Sequence, residues 1–376
     1  MNFLQLHIDT IDQLIGKELG IALYRLPGSE EPTLLLSFLN QIEQQDDYAA
    51  LNDVEGFVMA PFYCNALHPV LVLHPEVIIS GIKNMETFLQ SDAMKRWVAL
   101  PQSHSAESAC QAIDSEKKAY EISFQRFLQA LTLKEADKLV LSRYHVESRS
   151  ENIKPTETFL KACNRYPDAF VYLCYTPVSG LWLGSTPEML LSGVAPHFHT
   201  VALAGTKPAA IDGKVVRWDT KNRQEQQWVV TYLKELFSDL EIEWHENQTH
   251  TIKAGNVIHL KTSFDFEFSQ YNHLGDLLKK LHPTPAVCGF PKEKAYRFIV
   301  DNEGYNRKYY SGFVGVLSKN DQTNLYVNLR CMEWTRHQTI LYAGGGLLVS
   351  SQLHKEWKET EDKLQTMLNI LHDEAN

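Results

Sequence analysis

No stretch of this 376-residue chain is a run of apolar residues long enough to cross a bilayer as a helix, which takes about 20. The N-terminal MNFLQLHIDTIDQLIGKELG carries acids early and has no long apolar segment, unlike a secretory signal. None of the six cysteines (Cys64, Cys110, Cys163, Cys174, Cys288 and Cys331) stands in a CxxC pair or a Cys/His cluster with zinc spacing. That usage predicts reduced, mostly buried thiols in a cytoplasmic protein. A net charge of −10 withholds the basic face that a phosphate backbone needs, so no nucleic-acid partner and no membrane association are expected. A small anion is not excluded, because a pocket can be locally basic on an acidic protein. The chain shows no internal repeat. It also lacks regular βαβ alternation and any Gly-x-Gly-x-x-Gly that opens a helix after a strand, so a dinucleotide-binding fold is not expected.

What is present suits a large core. Hydrophobic residues make up 44% of the chain, enough for one big domain or two intimately packed halves. Residues 1–115 read as an irregular mixture, with strands at Phe57–Tyr63 and Val70–Leu73 and a Ser/Ala/His-rich linker or loop at Gln102–Asp114. Residues 116–376 are more regular. Strands are predicted at Phe170–Tyr175, Gly180–Leu183, Met189–Ser192, Thr200–Ala204, Val257–Phe268, Leu325–Trp334 and Thr339–Leu348. Helices are predicted at Glu116–Leu133, Asn222–Asp239, His273–Leu281, Lys292–Val300 and Lys355–His372. Long alternating strands with interspersed helices imply an α+β fold, a sandwich of sheets.

Four side chains stand where packing alone would not put them. Glu225 opens a helix and extends the apolar stripe of Val229, Leu233 and Leu236; it reads equally as a first-turn acid favoured by the helix dipole. Glu359 lies one turn from Lys363 and three residues after Glu356, an arrangement that also suits an exposed i,i+4 ion pair. Two such carboxylates meeting in one cleft would call for a cation, and oxygen-only ligands suit Mg²⁺. Glu188 follows Pro187 beside an apolar strand, where burial would raise its pKa toward that of a general acid; the alternative is a surface carboxylate. Lys138 enters the run LVLS, where desolvation would lower its pKa toward that of a base; the alternative is a lysine snorkelling to water.

In order along the chain stand KLVLSR (138–143), GLWLGSTPEMLL (180–191), TVALAGTK (200–207), KNRQEQ (221–226) and HLKT (259–262). LHPTPAVCGFP (281–291), RKYYSGFVG (307–315), VNLR (327–330), YAGGG (342–346) and EWKET–K (356–363) follow. Together these segments resemble the chorismate-utilising enzymes. The resemblance covers roughly residues 135–365, and residues 1–115 match only loosely. It implies large, mostly antiparallel sheets in a sandwich with helices packed outside. It implies that chorismate is the small-molecule substrate and Mg²⁺ the cofactor, with Glu225 and Glu359 as metal ligands and Glu356 nearby. Lys138 falls on the base that activates water and Glu188 on the general acid. Tyr310 and Arg330 fall on groups that bind the side-chain carboxylate of the substrate. Ala204, Gly205, Thr206 and His282 fall at the ring site, Gly345 in a substrate-touching glycine turn, and Lys363 beside the metal.

The resemblance also narrows the reaction. Members that capture the substrate covalently carry a lysine where Ala204 stands, and amide-transferring members lack a lysine at 138. What remains is the water-using branch: isochorismate synthases, toward which the ALAGT segment leans, or salicylate synthases, which go on to eliminate pyruvate. A non-catalytic chorismate-binding relative is the third reading. No glutaminase subunit is expected, and a monomer or weak dimer is. Three positions depart from the family pattern: Asn222 in place of an acid, Lys207 in place of arginine, and the glycine triplet at 344–346.

Overall fold

The alternating run after Gly255 forms a strand, Val257–Glu267, and the helix pattern before it forms Thr220–Asp239. Asp219 caps that helix by accepting from the Asn222 backbone N–H. The structure is a computed structural model that describes residues 8–103, 116–149, 152–208, 217–254 and 257–372. Its strands form two sheets, and all their pairings among the described residues are antiparallel. A nine-stranded sheet runs, edge to edge, through Gly289–Phe290, Lys138–Ser148, Gln338–Leu347, Cys331–Trp334, Gly180–Thr186, Phe170–Thr176, Leu19–Arg25, Thr33–Phe38 and Val77–Ser80. A ten-stranded sheet includes Val257–Glu267, His197–Pro208, Met189–Val194, Thr323–Val327, Phe313–Leu317, Gly56–Ala60 and Val70–Leu73 in that order.

The two sheets face each other across Phe170, Tyr172, Trp182 and Tyr342 on one side and Phe57, Met59, Val314 and Tyr326 on the other. The Phe170 and Tyr326 rings stack at 4.4 Å. Helices cover the outer faces. Pro155–Arg165 and Leu353–Leu371 lay Phe159, Leu364 and Met367 on the nine-stranded sheet. Thr220–Asp239 and Leu274–Leu281 lay Val229, Leu233, Phe237 and Leu278 on the other. Each such buried side chain contributes about 1.5–3 kcal/mol from removal of apolar surface. The α+β sandwich expected from the sequence is what forms.

The first hundred residues edge both sheets: Ala22 pairs with Cys174 and Val58 with Gly315. Leu19–Arg25, Thr33–Phe38 and Val77–Ser80 are strands where the sequence shows only a mixture. LGIALYR and TLLLSF are buried on both faces over most of their length, so they lack the alternation that marks a half-exposed strand. Of the expected 102–114 linker only Gln102 and Ser103 lie within the described residues.

The single strand expected over Leu325–Trp334 is two strands in different sheets, Thr323–Val327 and Cys331–Trp334. The chain crosses between sheets at Asn328–Leu329–Arg330, and Arg330 makes the turn at φ +49°. Pro187–Glu188 makes a second crossing, from Gly180–Thr186 to Met189–Val194.

Candidate active site

The two crossings lie side by side. Ser185 N–H donates to the Arg330 carbonyl at 3.0 Å, and Val327 N–H donates to the Glu188 carbonyl at 2.8 Å. The Thr186 hydroxyl donates to the Val327 carbonyl at 2.7 Å. Glu188 and Arg330 are thereby fixed where the sheets join, on the wall of a solvent-open cavity. Lys138, Ala204, Gly205, Thr206, Glu225, Tyr310, Gly345, Glu359 and Lys363 line the same cavity.

Lys138 is the first residue of its strand and is buried, 1% exposed. Burial lowers its pKa, and nearby Glu225 and Glu188 oppose the shift. Glu188 is 5% exposed, and burial raises its pKa to about 7 despite Lys138, Lys363 and Arg330. Lysine and carboxyl thus face one cavity with burial driving both toward mid-range pKa values, as an acid–base pair requires.

Three glutamates gather beside them. Glu225 comes from the first turns of Thr220–Asp239, and Glu356 and Glu359 from Leu353–Leu371. Two lysines hold them. Lys221 Nζ lies 2.6 Å from Glu356 Oε1 and 3.2 Å from Glu225 Oε1, the latter an ion-pair contact without hydrogen-bond alignment. Lys363 Nζ donates to Glu359 Oε1 at 2.6 Å and to the Gly344 carbonyl at 2.7 Å. Burial raises the pKa of Glu225 and of Glu356. For Glu359, burial pushes upward, but Lys363 and Lys221 together outweigh it and the net shift is downward.

Glu225 Oε1 and Glu356 Oε2 are buried with no hydrogen-bond donor among the described residues. Orphaned carboxylate oxygens of this kind are costly unless a cation joins them. As placed, the described carboxylates and imidazoles form no ready-made group of three around one point; lysine ammonium groups occupy the space among them. All-oxygen donors with uncommitted lone pairs nevertheless fit Mg²⁺ chemistry.

The glycines follow from this crowding. Gly344, Gly345 and Gly346 lie inside the strand Gln338–Leu347, paired to Ser142, Leu141 and Val140, and not in the turn expected from the sequence. A Cβ on Gly346 would lie 3.0 Å from both Glu225 Oε2 and Lys138 Cε. Carboxylates lie over Gly345 and Gly346, with Lys138 beside Gly346, whereas a Cβ on Gly344 would meet Ser142 Cβ and the Tyr310 hydroxyl at 3.0 Å.

Arg330 is buried, and its guanidinium has only long contacts: to the Lys363 carbonyl at 3.5 Å, Thr366 Oγ1 at 3.4 Å and His259 Nε2 at 3.5 Å. No carboxylate among the described residues pairs with it, so it is a cation prepared for an anion. His259, which was not among the residues expected at the site, also lines the cavity. Its signal is parity: along Val257–Glu267 it sits on the face opposite Phe264 and Phe266 and so points to the cavity. Burial, with Arg330 and Lys363, lowers its pKa to about 3, so the ring is neutral. Nδ1 lies 3.0 Å from the Gly205 carbonyl, which can only accept; the proton is therefore on Nδ1, and Nε2 faces Arg330 as acceptor.

Gly205 bulges the strand at φ +71°. Asn222 Oδ1 accepts from Thr206 N–H at 2.8 Å, while its Nδ2 donates to Asp219 at 2.8–3.0 Å. Asn222 thus ties the substrate-side turn to the helix cap, a task that an acid beside Asp219 would perform against repulsion. Lys207, the other departure, pairs with Asp219 at 3.1 Å. The remaining expected residue, His282, is not on the cavity wall. It packs among Tyr48, Phe62 and Phe313, with ring centroids 4.9–6.4 Å away. LHPTP turns it into the core on the helix side.

A family model described as chorismate-binding enzyme matches residues 22–372. The chain belongs to that family. Among individual family members, isochorismate synthase EntC of Escherichia coli is 28% identical over 263 residues, 68% of this chain and 67% of its own. Isochorismate synthase MenF of E. coli is 29% identical over 253 residues, 63% of this chain and 57% of its own. The solved structure of the menaquinone-specific isochorismate synthase MenF from E. coli superposes with a TM-score of 0.76 over 98% of this chain and 92% of that one; at 19% identity it speaks for the fold. The family match also covers most of the N-terminal residues, where the motifs were loose.

Proposed function

We propose that this chain is an isochorismate synthase, a Mg²⁺-dependent isomerase that adds water at C2 of chorismate and releases the C4 hydroxyl. The observation that carries the reading is the pair Lys138 and Glu188, both buried in one cavity, the base lowered and the acid raised to about 7 by burial. The names of EntC and MenF support it.

Neutral Lys138 takes a proton from water as the water oxygen bonds to C2. The ring double bonds shift, the C4–O bond breaks, and protonated Glu188 gives that oxygen its proton. Each turnover leaves a proton on Lys138 and takes one from Glu188, so the pair resets by returning it. Each group contributes typically ~10²–10⁴-fold. Arg330, with no carboxylate partner of its own, and Tyr310 receive the side-chain carboxylate of the substrate. Gly205 and Thr206 border the ring, and Lys363 orients Glu359. Glu225 and Glu359, with Glu356 adjacent, would hold Mg²⁺, which when bound neutralises and orients the ring carboxylate. Ala204, 9% exposed, offers no amine at the position where covalent members carry one.

Incubation with chorismate and Mg²⁺ followed by chromatographic resolution of products tests the reading. Isochorismate supports it; salicylate with pyruvate replaces it by the salicylate synthase reading; no turnover favours a binding role. The product feeds menaquinone or siderophore biosynthesis, the two uses that relatives' names carry.

A further inference from the structure

Lys221 lies one turn before Glu225, and its ammonium fills the space between carboxylates from two different helices. It is 2.6 Å from Glu356 Oε1 and 3.2 Å from Glu225 Oε1. Its side chain remains 26% exposed, against 9% for Glu225 and 3% for Glu356. Burial acts to lower its pKa, but Glu225, Glu356 and Glu359 overcome that and hold it firmly charged. Among the described residues, Glu356 Oε2, the oxygen of Glu356 that Lys221 does not touch, is buried with no hydrogen-bond donor, and Glu225 Oε1 has the ammonium beside it without hydrogen-bond alignment. Lys221 is therefore the ammonium shared by Glu225 and Glu356, and it leaves their acceptor capacity partly unused. The four-carbon stem, a quarter open to solvent, can swing the charge outward without moving either helix.

We propose that Lys221 is the built-in counter-cation of this carboxylate cluster: it holds Glu225 and Glu356 together while no metal is bound, and a divalent cation must displace it. The inference rests on the assignment of the three glutamates to Mg²⁺. It gives Lys221 a positioning role opposite to that of a ligand, because its charge competes with the metal for the same oxygens. Without Lys221 the protein binds a divalent ion more tightly, and without both Lys221 and metal the cluster repels itself.

Mn²⁺ serves as the probe, since it shares the oxygen preference of Mg²⁺. Its binding to the full chain without substrate is measured by calorimetry or by the electron-spin signal of free Mn²⁺. K221M, which keeps the stem and removes the charge, is expected to bind Mn²⁺ at least about tenfold more tightly than the parent protein. A unit charge within a few ångström of a divalent ion has an effect of that order even at the screened dielectric of a half-wet site. In EDTA, K221M is expected to melt below the parent protein and to gain more on adding Mn²⁺. K221R, which keeps the charge, is expected to stay within about threefold of parental affinity, and it remains informative if K221M does not fold: Mn²⁺ binding by K221R tenfold tighter than by the parent protein refutes displacement of the charge. Equal or weaker Mn²⁺ binding by folded K221M refutes it too. If the parent protein binds no Mn²⁺, or E359Q binds it as well as the parent protein, the metal assignment falls and Lys221 is only a structural ion-pair partner.

Discussion

The buried carboxyl of Glu188 makes the stability of this protein depend on pH in a calculable way. In the unfolded chain a glutamate ionises near 4.5, and in the folded protein burial holds Glu188 at about 7. Between these values the unfolded chain loses the proton and the native state keeps it, so the native state loses stability as pH rises from about 4.5 to about 7 and gains it back on acidification. The gap of about two and a half pH units, at about 1.36 kcal/mol each, is roughly 3 kcal/mol. Glu188→Gln has nearly the same shape and no titration, so the stability of E188Q relative to the parent protein should rise by that amount between pH 4.5 and 8. With an unfolding entropy of about 2.1 cal/mol/K per residue, a chain of this length shifts in Tm by roughly 4 °C. Paired melts of both proteins at pH 5 and pH 8 isolate the effect, because all other titrating groups are common to the two. A Tm difference that stays constant across this range would refute the buried, proton-retaining Glu188 and with it the general-acid role. The same ionisation predicts that kcat/KM falls as pH rises through about 7.

Three further outcomes follow from the site. Lys138→Ala should lower kcat by about 10²–10⁴-fold while substrate binding in the presence of Mg²⁺ stays largely intact by calorimetry; near-parental turnover sinks the base assignment. Glu225→Gln and Glu359→Gln should each raise the Mg²⁺ concentration needed for half-maximal rate by tenfold or more, and an unchanged metal dependence in both removes them as ligands. Gly346→Ala places a methyl 3.0 Å from Glu225 Oε2 and Lys138 Cε, so kcat should drop at least tenfold with the fold intact by circular dichroism.

Much of this architecture is legible in the chain because the informative residues obey simple periodicity. Val257–Glu267 alternates, Thr220–Asp239 keeps a helical stripe, and Lys138 stands at the mouth of an apolar run. Other features depend on tertiary context. The crossing at Arg330 requires a left-handed backbone that no residue type there announces. The doubly buried strands near the N-terminus carry no alternation. The glycine triplet reads as a turn until the glutamates of two distant helices are seen to lie over it. His282 sits in a motif-rich segment yet packs among aromatic rings, while His259, on the strand paired to the one that carries Gly205, faces the cavity. Lys221 looks like an ordinary first-turn lysine until Glu356 arrives from the other end of the chain.

In the proposed reaction water attacks C2 and the conversion ends there. Turnover of chorismate with Mg²⁺ in ¹⁸O-labelled water, with the product resolved and weighed, tests both points at once. The predicted product is isochorismate carrying one labelled oxygen, at the C2 hydroxyl. Unlabelled isochorismate would contradict attack by solvent water, and salicylate with pyruvate would contradict a reaction that ends at isochorismate.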